Sequence, residues 1–394
     1  DRTLAEHHFW KQSNHVVGGP KLWETLRTRR PGYTCAKLFW WYNMYSSADW
    51  SITPRPLYPA DGRKVFDIYT HPMGLRDEIK RDLGPFPFPA FWGPLAGLAS
   101  SEWIARSARW VEERNRPDLS LVYLPHLDYN LQRWGPDDPR LAADYRAIDQ
   151  VAGDLIDFYA QRGVRSIVLS EYGITAVRRS VALNRLFRRQ GWITIKEELG
   201  CELLDCGASR VFAIADHQVA HIYLNDRSLL PAVRALLEAT EGVARVLEGD
   251  GLRAEGLDHA RSGDLVAVST EDAWFTYYYW ENEAKAPDFA RCVDIHRKYG
   301  YDPVELFVDP TLMLAKLRIA GKLLRKALGF RVLMNVISLD PSLVKGSHGA
   351  LPRDERDWPV LIGTGDLQAG THLPATEVHA RLLQACLHPA GPAP

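Results

Sequence analysis

The sequence predicts an α/β protein: a mainly parallel sheet sandwiched by helices, with a smaller α+β insertion. Three observations carry this. First, short apolar runs end abruptly in polar residues. Leu121–Leu124 is halted by Pro125, and Ser166–Ser170 delivers Glu171 and Tyr172, so both read as strands buried on two faces, as parallel strands are. Second, between them Leu141, Tyr145, Ile148, Val151, Leu155 and Phe158 recur near the helical period, which makes the stretch a right-handed βαβ unit. Third, residues 205–272 change to short strands with one helix, the pattern of a separate lobe. The expected organisation is therefore a first part of the core over 1–204, an insertion over 205–272 and a second part over 273–394.

Composition supports a globular chain with a large core: 394 residues, 46% hydrophobic and 25% charged. Lys plus Arg number 48 against 49 Asp plus Glu, which gives no case for a nucleic-acid polymer as partner. The five cysteines, Cys35, Cys201, Cys206, Cys292 and Cys386, are scattered without CxxC spacing. That argues against a disulfide framework or zinc knuckle and points to the cytoplasm. No apolar run approaches the roughly 20 residues of a membrane span. The first residue is Asp rather than Met.

In chain order, Lys21–Arg27 reads as helical and Cys35–Trp41 as a buried strand, followed by a tract rich in Trp and Tyr. Residues 58–91 hold many prolines and read as an irregular lobe, with His71 held extended before Pro72 at a turn. Helical periodicity covers 100–116 and 142–161. Val211–Ala215 and Ala220–Leu224 read as paired strands around Asp216 and His217, followed by a helix over 229–240 and strands over 243–247 and 265–269. After the aromatic run Ala273–Trp280, a helix over 312–327, a loop over 344–348, a strand over 360–364 and a helix over 375–387 complete the chain.

The candidate chemistry sits where strands end, the usual place for ligands in an α/β sheet. One strand end offers Asp128, another Glu171, and the Gly-flanked loop Lys345–Gly349 offers His348. Oxygen and imidazole donors converging from distant positions are the makings of a catalytic metal site. Each residue alone has an ordinary alternative: an Asp after a strand caps helices, and a His between glycines marks a surface turn. Trp40, Trp41 and Asn43 suit the wall of a ligand pocket and equally suit a core.

These pieces resemble the alkaline phosphatase superfamily, in particular its nucleotide pyrophosphatase/phosphodiesterase branch. The branch has a Tyr-x-x-x-x-Asp-x-x-x-His-x-x-Gly-Pro motif, which stands here as Tyr123, Asp128, Gln132, Gly135 and Pro136. Its Ser-Asp-His-Gly motif stands here as Ser170, Glu171, Tyr172 and Gly173, and its late His beside Gly as His348. The resemblance implies an alkaline phosphatase-like fold, up to two divalent ions (Zn²⁺, or Mn²⁺), and a small phosphodiester or nucleotide-like substrate. By that resemblance Asp128, Gln132 and His348 hold one ion and Glu171 helps hold the other, while Tyr172 donates to a phosphate oxygen and Trp40, Trp41 and Asn43 meet the leaving group. Gln for His and Tyr for His weaken the ligand set; His126 and His217 are candidate replacements, though each also suits an ordinary hydrogen bond. The family's Thr or Ser nucleophile is expected upstream of Asp1. The implied function is metal-dependent hydrolysis of phosphodiester or pyrophosphate bonds; the alternatives are a noncatalytic binding homologue, or a phosphonate hydrolase or phosphomutase of the same superfamily.

Overall fold

The computed structural model describes residues 12–363 and 372–387. After helix α1 (Leu22–Arg29), strands β1 (Cys35–Leu38), β2 (Trp50–Pro54), β3 (Ile68–His71) and β4 (Leu119–Val122) form one sheet in the order β3-β2-β1-β4. β1 runs parallel to both β2 and β4, and β3 pairs antiparallel with β2. The sheet is thus mixed, in an α/β arrangement. Every residue of β1 is buried, as befits a central strand. Helices α2 (Leu75–Leu83) and α3 (Leu98–Asn115) pack on it through Ile79, Trp103, Ile104, Ala108 and Val111. β3 and α2 thus give regular structure to the stretch expected to be irregular.

Past β4 the chain enters α4 (His126–Trp134) and α5 (Leu141–Ala160), then β5 (Ile167–Leu169). Two expectations change here. β4 is a half-buried edge strand rather than one buried on both faces. The strand–helix–strand segment also does not close into a parallel pair. β5 is only three residues long, and its ladder is made antiparallel with the late strand β16 (Leu361–Gly363). Leu155 and Tyr159 of α5 nevertheless reach the core of the first sheet.

β6 (Thr175–Ala176), β7 (Arg179–Val181), α6 (Leu183–Arg189) and the hairpin β8–β9 (Ile195–Glu198, Cys201–Leu204) lead to a second, antiparallel sheet. Its strands are β10 (Val211–Asp216), β11 (Val219–Leu224), β12 (Val243–Leu247) and β13 (Leu265–Ser269), in the order β10-β11-β13-β12. Helix α7 (Leu230–Glu238) covers it through Val233 and Leu237, and α8 (Asp250–Ala254) adds Leu252. β14 (Ala273–Phe275) lies parallel to β7. The aromatic run that follows is core: Tyr277, Tyr278, Tyr279 and Trp280 are fully buried. Helix α9 (Ala315–Ala327), strand β15 (Gly346–Ser347), β16 and α10 (Val378–Leu387) complete the described chain. All five cysteines are free. Among the described residues no helix is long and apolar enough to cross a membrane.

Candidate active site

α4 starts one residue after Pro125, so Asp128 lies in the first turn of a helix, where the helix dipole favours a carboxylate. Gln132 follows four residues later, on the same face. Its side chain is fully buried and closes no hydrogen bond, although it stands near enough to Asp128 and Tyr301 to weigh on their titration. The loop between β5 and β6 brings in Glu171 and Tyr172. The Tyr172 hydroxyl donates to Asp128 Oδ1 at 3.1 Å, and its ring stacks on His348 with centroids 3.6 Å apart and planes 6° from parallel.

His348 follows β15, which is clamped in place by backbone bonds. β15 pairs antiparallel with β6, and Lys345 N–H donates to the Gln132 carbonyl at 2.8 Å. Gly346 permits this close approach: a Cβ there would stand 2.2 Å from the Leu131 carbonyl oxygen. On its other side the His348 ring meets His217, 3.8 Å between centroids, and His217 in turn stacks on Tyr301 at 4.1 Å. Tyr172, His348, His217 and Tyr301 therefore form one column of rings contributed by four separate segments.

His217 occupies the turn of the β10–β11 hairpin at φ 53°. That is left-handed backbone in a two-residue turn, a position that favours Gly. Its strain is held by the surroundings: Phe275 N–H donates to the His217 carbonyl at 2.7 Å, and Gln218 N–H donates to the His348 carbonyl at 3.0 Å. The Gln218 side chain also donates to the Glu271 and Ala273 carbonyls and accepts from Ala350 N–H. The hairpin turn and the His348 loop are thus locked together. Costly backbone maintained by such a surround is characteristic of functional positions.

Three carboxylates face this column. Burial pushes Asp128 up to about 6, against the nearby Gln132 amide and the hydrogen bond from Tyr172, which favour its charged form. Burial and then the charge of Asp128 raise Asp216, also to about 6, and the same two causes raise Glu171. Asp216 and Glu171 keep exposed surface, so water screens them more than it screens Asp128. Burial drives both imidazoles toward neutrality: His348 to about 3, and His217 well below its ordinary value with His348 adding to the effect. The His217 Nδ1 lies 3.4 Å from the buried Ser347 hydroxyl, and its Nε2 lies 3.9 Å from Asp216 Oδ1.

The expected residues fare differently. Asp128, Gln132, Glu171, Tyr172 and His348 come together. Trp41 reaches the edge of the group through Tyr123, ring to ring at 5.9 Å, while Trp40 is half-buried in the same tract. Asn43 is fully buried and donates to the carbonyls of Lys37 and Ile52, both at 2.8 Å. Its nitrogen clamps β1 to β2 and is not free for a ligand. His126 does not enter the site; its Nε2 lies 2.9 Å from Asp144, between α4 and α5. The Tyr172 hydroxyl, expected to face phosphate, is engaged by Asp128. Asp216 was visible only as a turn residue beside His217, and Tyr301 carried no signal at all; a polar pair in a two-residue turn, where Gly is expected, was the available clue.

In kind, carboxylates and neutral imidazoles fit a divalent cation such as Zn²⁺ or Mn²⁺, and the orphaned Gln132 amide is an unspent polar group at the floor. Among the described residues, however, no three His, Cys, Asp or Glu side chains are already gathered tightly enough to hold one ion.

Residues 1–302 match the family model described as type I phosphodiesterase / nucleotide pyrophosphatase. A curated protein from Schizosaccharomyces pombe, described as an uncharacterized pyrophosphatase/phosphodiesterase, is 33% identical over 90 residues, which span 21% of this chain and 19% of that protein's length. Among solved structures, phosphonoacetate hydrolase from Sinorhizobium meliloti in complex with phosphonoacetate aligns with 67% of this chain and 62% of its own, at 16% identity and a TM-score of 0.45. Murine ectonucleotide pyrophosphatase / phosphodiesterase 5, an inactive form in complex with AMP, aligns with 81% of this chain and 74% of its own, at 14% identity and a TM-score of 0.39.

Proposed function

The chain belongs to the type I phosphodiesterase / nucleotide pyrophosphatase family, and on that premise we propose that the cleft around Asp128 and His348 hydrolyses phosphodiester or pyrophosphate bonds of a small, nucleotide-like substrate with the help of divalent metal. One observation carries the reading. The charge of Asp128 raises the affinity of both Glu171 and Asp216 for protons, and Arg133, the cation that acts on Asp128, spends its guanidinium on Asn130 and on the carbonyls of Gly93 and Ala96. Carboxylates assembled without a partner cation are a site that gains by binding one.

In this reading Asp128, Glu171, Asp216, His217 and His348 hold the metal, which when bound neutralises phosphate charge and polarises the scissile bond. Burial keeps both imidazoles neutral, so each keeps a lone pair. His217 Nδ1 meets the Ser347 hydroxyl and its Nε2 is turned toward Asp216; the tautomer that donates from Nδ1 would leave the Nε2 lone pair for the metal. Tyr172 orients Asp128 through its hydroxyl and His348 through its ring. Trp41 and Tyr123 form an aromatic edge suited to the apolar part of the substrate. Residues 205–272 are assigned to an inserted lobe that lends Asp216 and His217 to the site.

A second reading, a homologue that binds such ligands without turnover, is favoured by the absence of a preformed three-residue metal group among the described residues. The deciding experiment measures hydrolysis of bis(p-nitrophenyl) phosphate after chelation and after return of Zn²⁺ or Mn²⁺, alongside metal content. Metal-dependent turnover lost in Asp128→Asn and His348→Ala supports the enzyme. Ligand binding without turnover supports the second reading.

A further inference from the structure

Helix α9 presents its apolar side away from the protein. Its inner side is made by Ala315, Ile319 and Lys322, which are half-buried, with Ile319 packing on the cluster around Val304 and Val336. Leu317, Ala320, Leu324 and Leu328 recur at i, i+3, i+7 and i+11, the spacing of one helical stripe, and all four are exposed. Leu317 is 67%, Leu324 62% and Leu328, at the C-cap, 67% exposed. Single exposed leucines need no explanation, but a row of them along one helix marks an interaction surface.

Charge selects the partner. Between Asp309 and Asp340 the chain has no Asp or Glu, yet it carries six basic residues: Lys316, Arg318, Lys322, Arg325, Lys326 and Arg331. Among the described residues none of Lys316, Arg318, Arg325 and Lys326 closes an ion pair, and all four are exposed. At 100° per residue, Arg318 and Arg325 flank the leucine stripe on one side and Lys316 on the other. An apolar stripe bordered by unpaired cations matches a surface that is anionic outside and apolar just beneath, which is the interface of a bilayer. The helix, Ala315–Ala327, has 13 residues and is about 20 Å long, too short for the roughly 30 Å hydrocarbon core. It suits lying in the interface and cannot cross it.

The geometry points to α9 as a peripheral docking element for an anionic membrane surface. This is independent of the hydrolytic reading and places no part of the chain across a bilayer.

The test is co-sedimentation of the whole chain with phosphatidylcholine vesicles, with and without about one-third phosphatidylserine. The wild type should sediment with the anionic vesicles at about 0.1 M salt and be released at about 0.5 M, as screening weakens the cation contacts. Leu317→Glu with Leu324→Glu, and separately Arg318→Glu with Arg325→Glu, should each lower the bound fraction by roughly tenfold or more. Both pairs are exposed, so circular dichroism and melting should be unchanged and confirm a folded protein. No sedimentation of the wild type with anionic vesicles overturns the inference, as does equal binding to pure phosphatidylcholine or unimpaired binding by the leucine variant. A dimer seen by light scattering and dissolved by the leucine variant, without lipid binding, would assign the stripe to a second copy and also overturn it.

Discussion

Replacing Asp128 with Asn should make the metal-free protein more stable and the metal-bound protein less so. Asp128 is held at about 6 by burial, against an ordinary 3.8. The folded protein therefore keeps this proton at pH values where the unfolded chain has lost it. By linkage, stability falls as pH rises from about 4 to about 6, and the full penalty, about 3 kcal/mol as an upper figure, applies above that. Asn retains an acceptor for the Tyr172 hydroxyl while carrying no charge. In the presence of chelator, Asp128→Asn should thus match the wild type near pH 4 and exceed it by about 1–3 kcal/mol near pH 8, a gain of several degrees in Tm. Zn²⁺ or Mn²⁺ at pH 8 should reverse the order, because the wild type gains binding energy through the carboxylate that the variant lacks. Melting curves at both pH values, with chelator and with metal, measure all four states. A variant less stable than the wild type at pH 8 in chelator would refute the account of Asp128 as a carboxylate held in place against its own solvation.

Other outcomes follow from the same structure. His348→Ala should reduce metal-dependent hydrolysis by at least about a hundredfold, and because burial keeps His348 neutral down to about pH 3, metal affinity of the wild type in calorimetric titration should weaken as pH falls through about 6, where metal-free Asp128 and Asp216 take up protons, with no step from His348. Gly346→Ala would drive a Cβ into the Leu131 carbonyl; it should cost more than about 2 kcal/mol in a urea titration and shift the circular-dichroism signal of the aromatic column. Lys298 is fully buried between Asp302, 2.7 Å away, and Glu305, 2.8 Å away. Lys298→Met leaves two buried carboxylates without their cation and should destabilise by about 3–5 kcal/mol, read as a large drop in Tm, with Lys298→Arg recovering only part of it.

The site was legible in the sequence where chemistry and local structure coincide. The Asp128–Gln132 spacing survives because both lie on one face of α4, Glu171 and Tyr172 follow a short strand whose end can be seen as an apolar run stopping, and His348 is marked only by the glycines that flank it. What was illegible depended on distant partners. The partner of β5 is β16, nearly two hundred residues later, because a three-residue strand carries no periodicity that names its neighbour. Asn43 looked like a pocket residue because its type and aromatic company are the same in a pocket and in a clamp; only the two carbonyls it meets decide between them.

The least legible part has the largest consequence. His217 sits in left-handed backbone, between His348 and Tyr301, on a hairpin of the second sheet. A Gly in that turn would relieve the strain, and an Asn would be tolerated there. The strain is held by bonds from Phe275 and to the His348 carbonyl, so the second sheet cannot move away from the His348 loop without breaking them. His217→Gly should therefore separate two roles that His217→Asn keeps closer together. Gly should raise stability by up to about 1 kcal/mol through relieved backbone strain while removing the ring between His348 and Tyr301, so that metal affinity falls as the protein gains Tm. Calorimetric titration with Zn²⁺ beside a melting curve makes the comparison. Loss of stability with unchanged affinity in His217→Gly would show that the ring's packing outweighs its backbone strain, and that the turn is kept for structure alone.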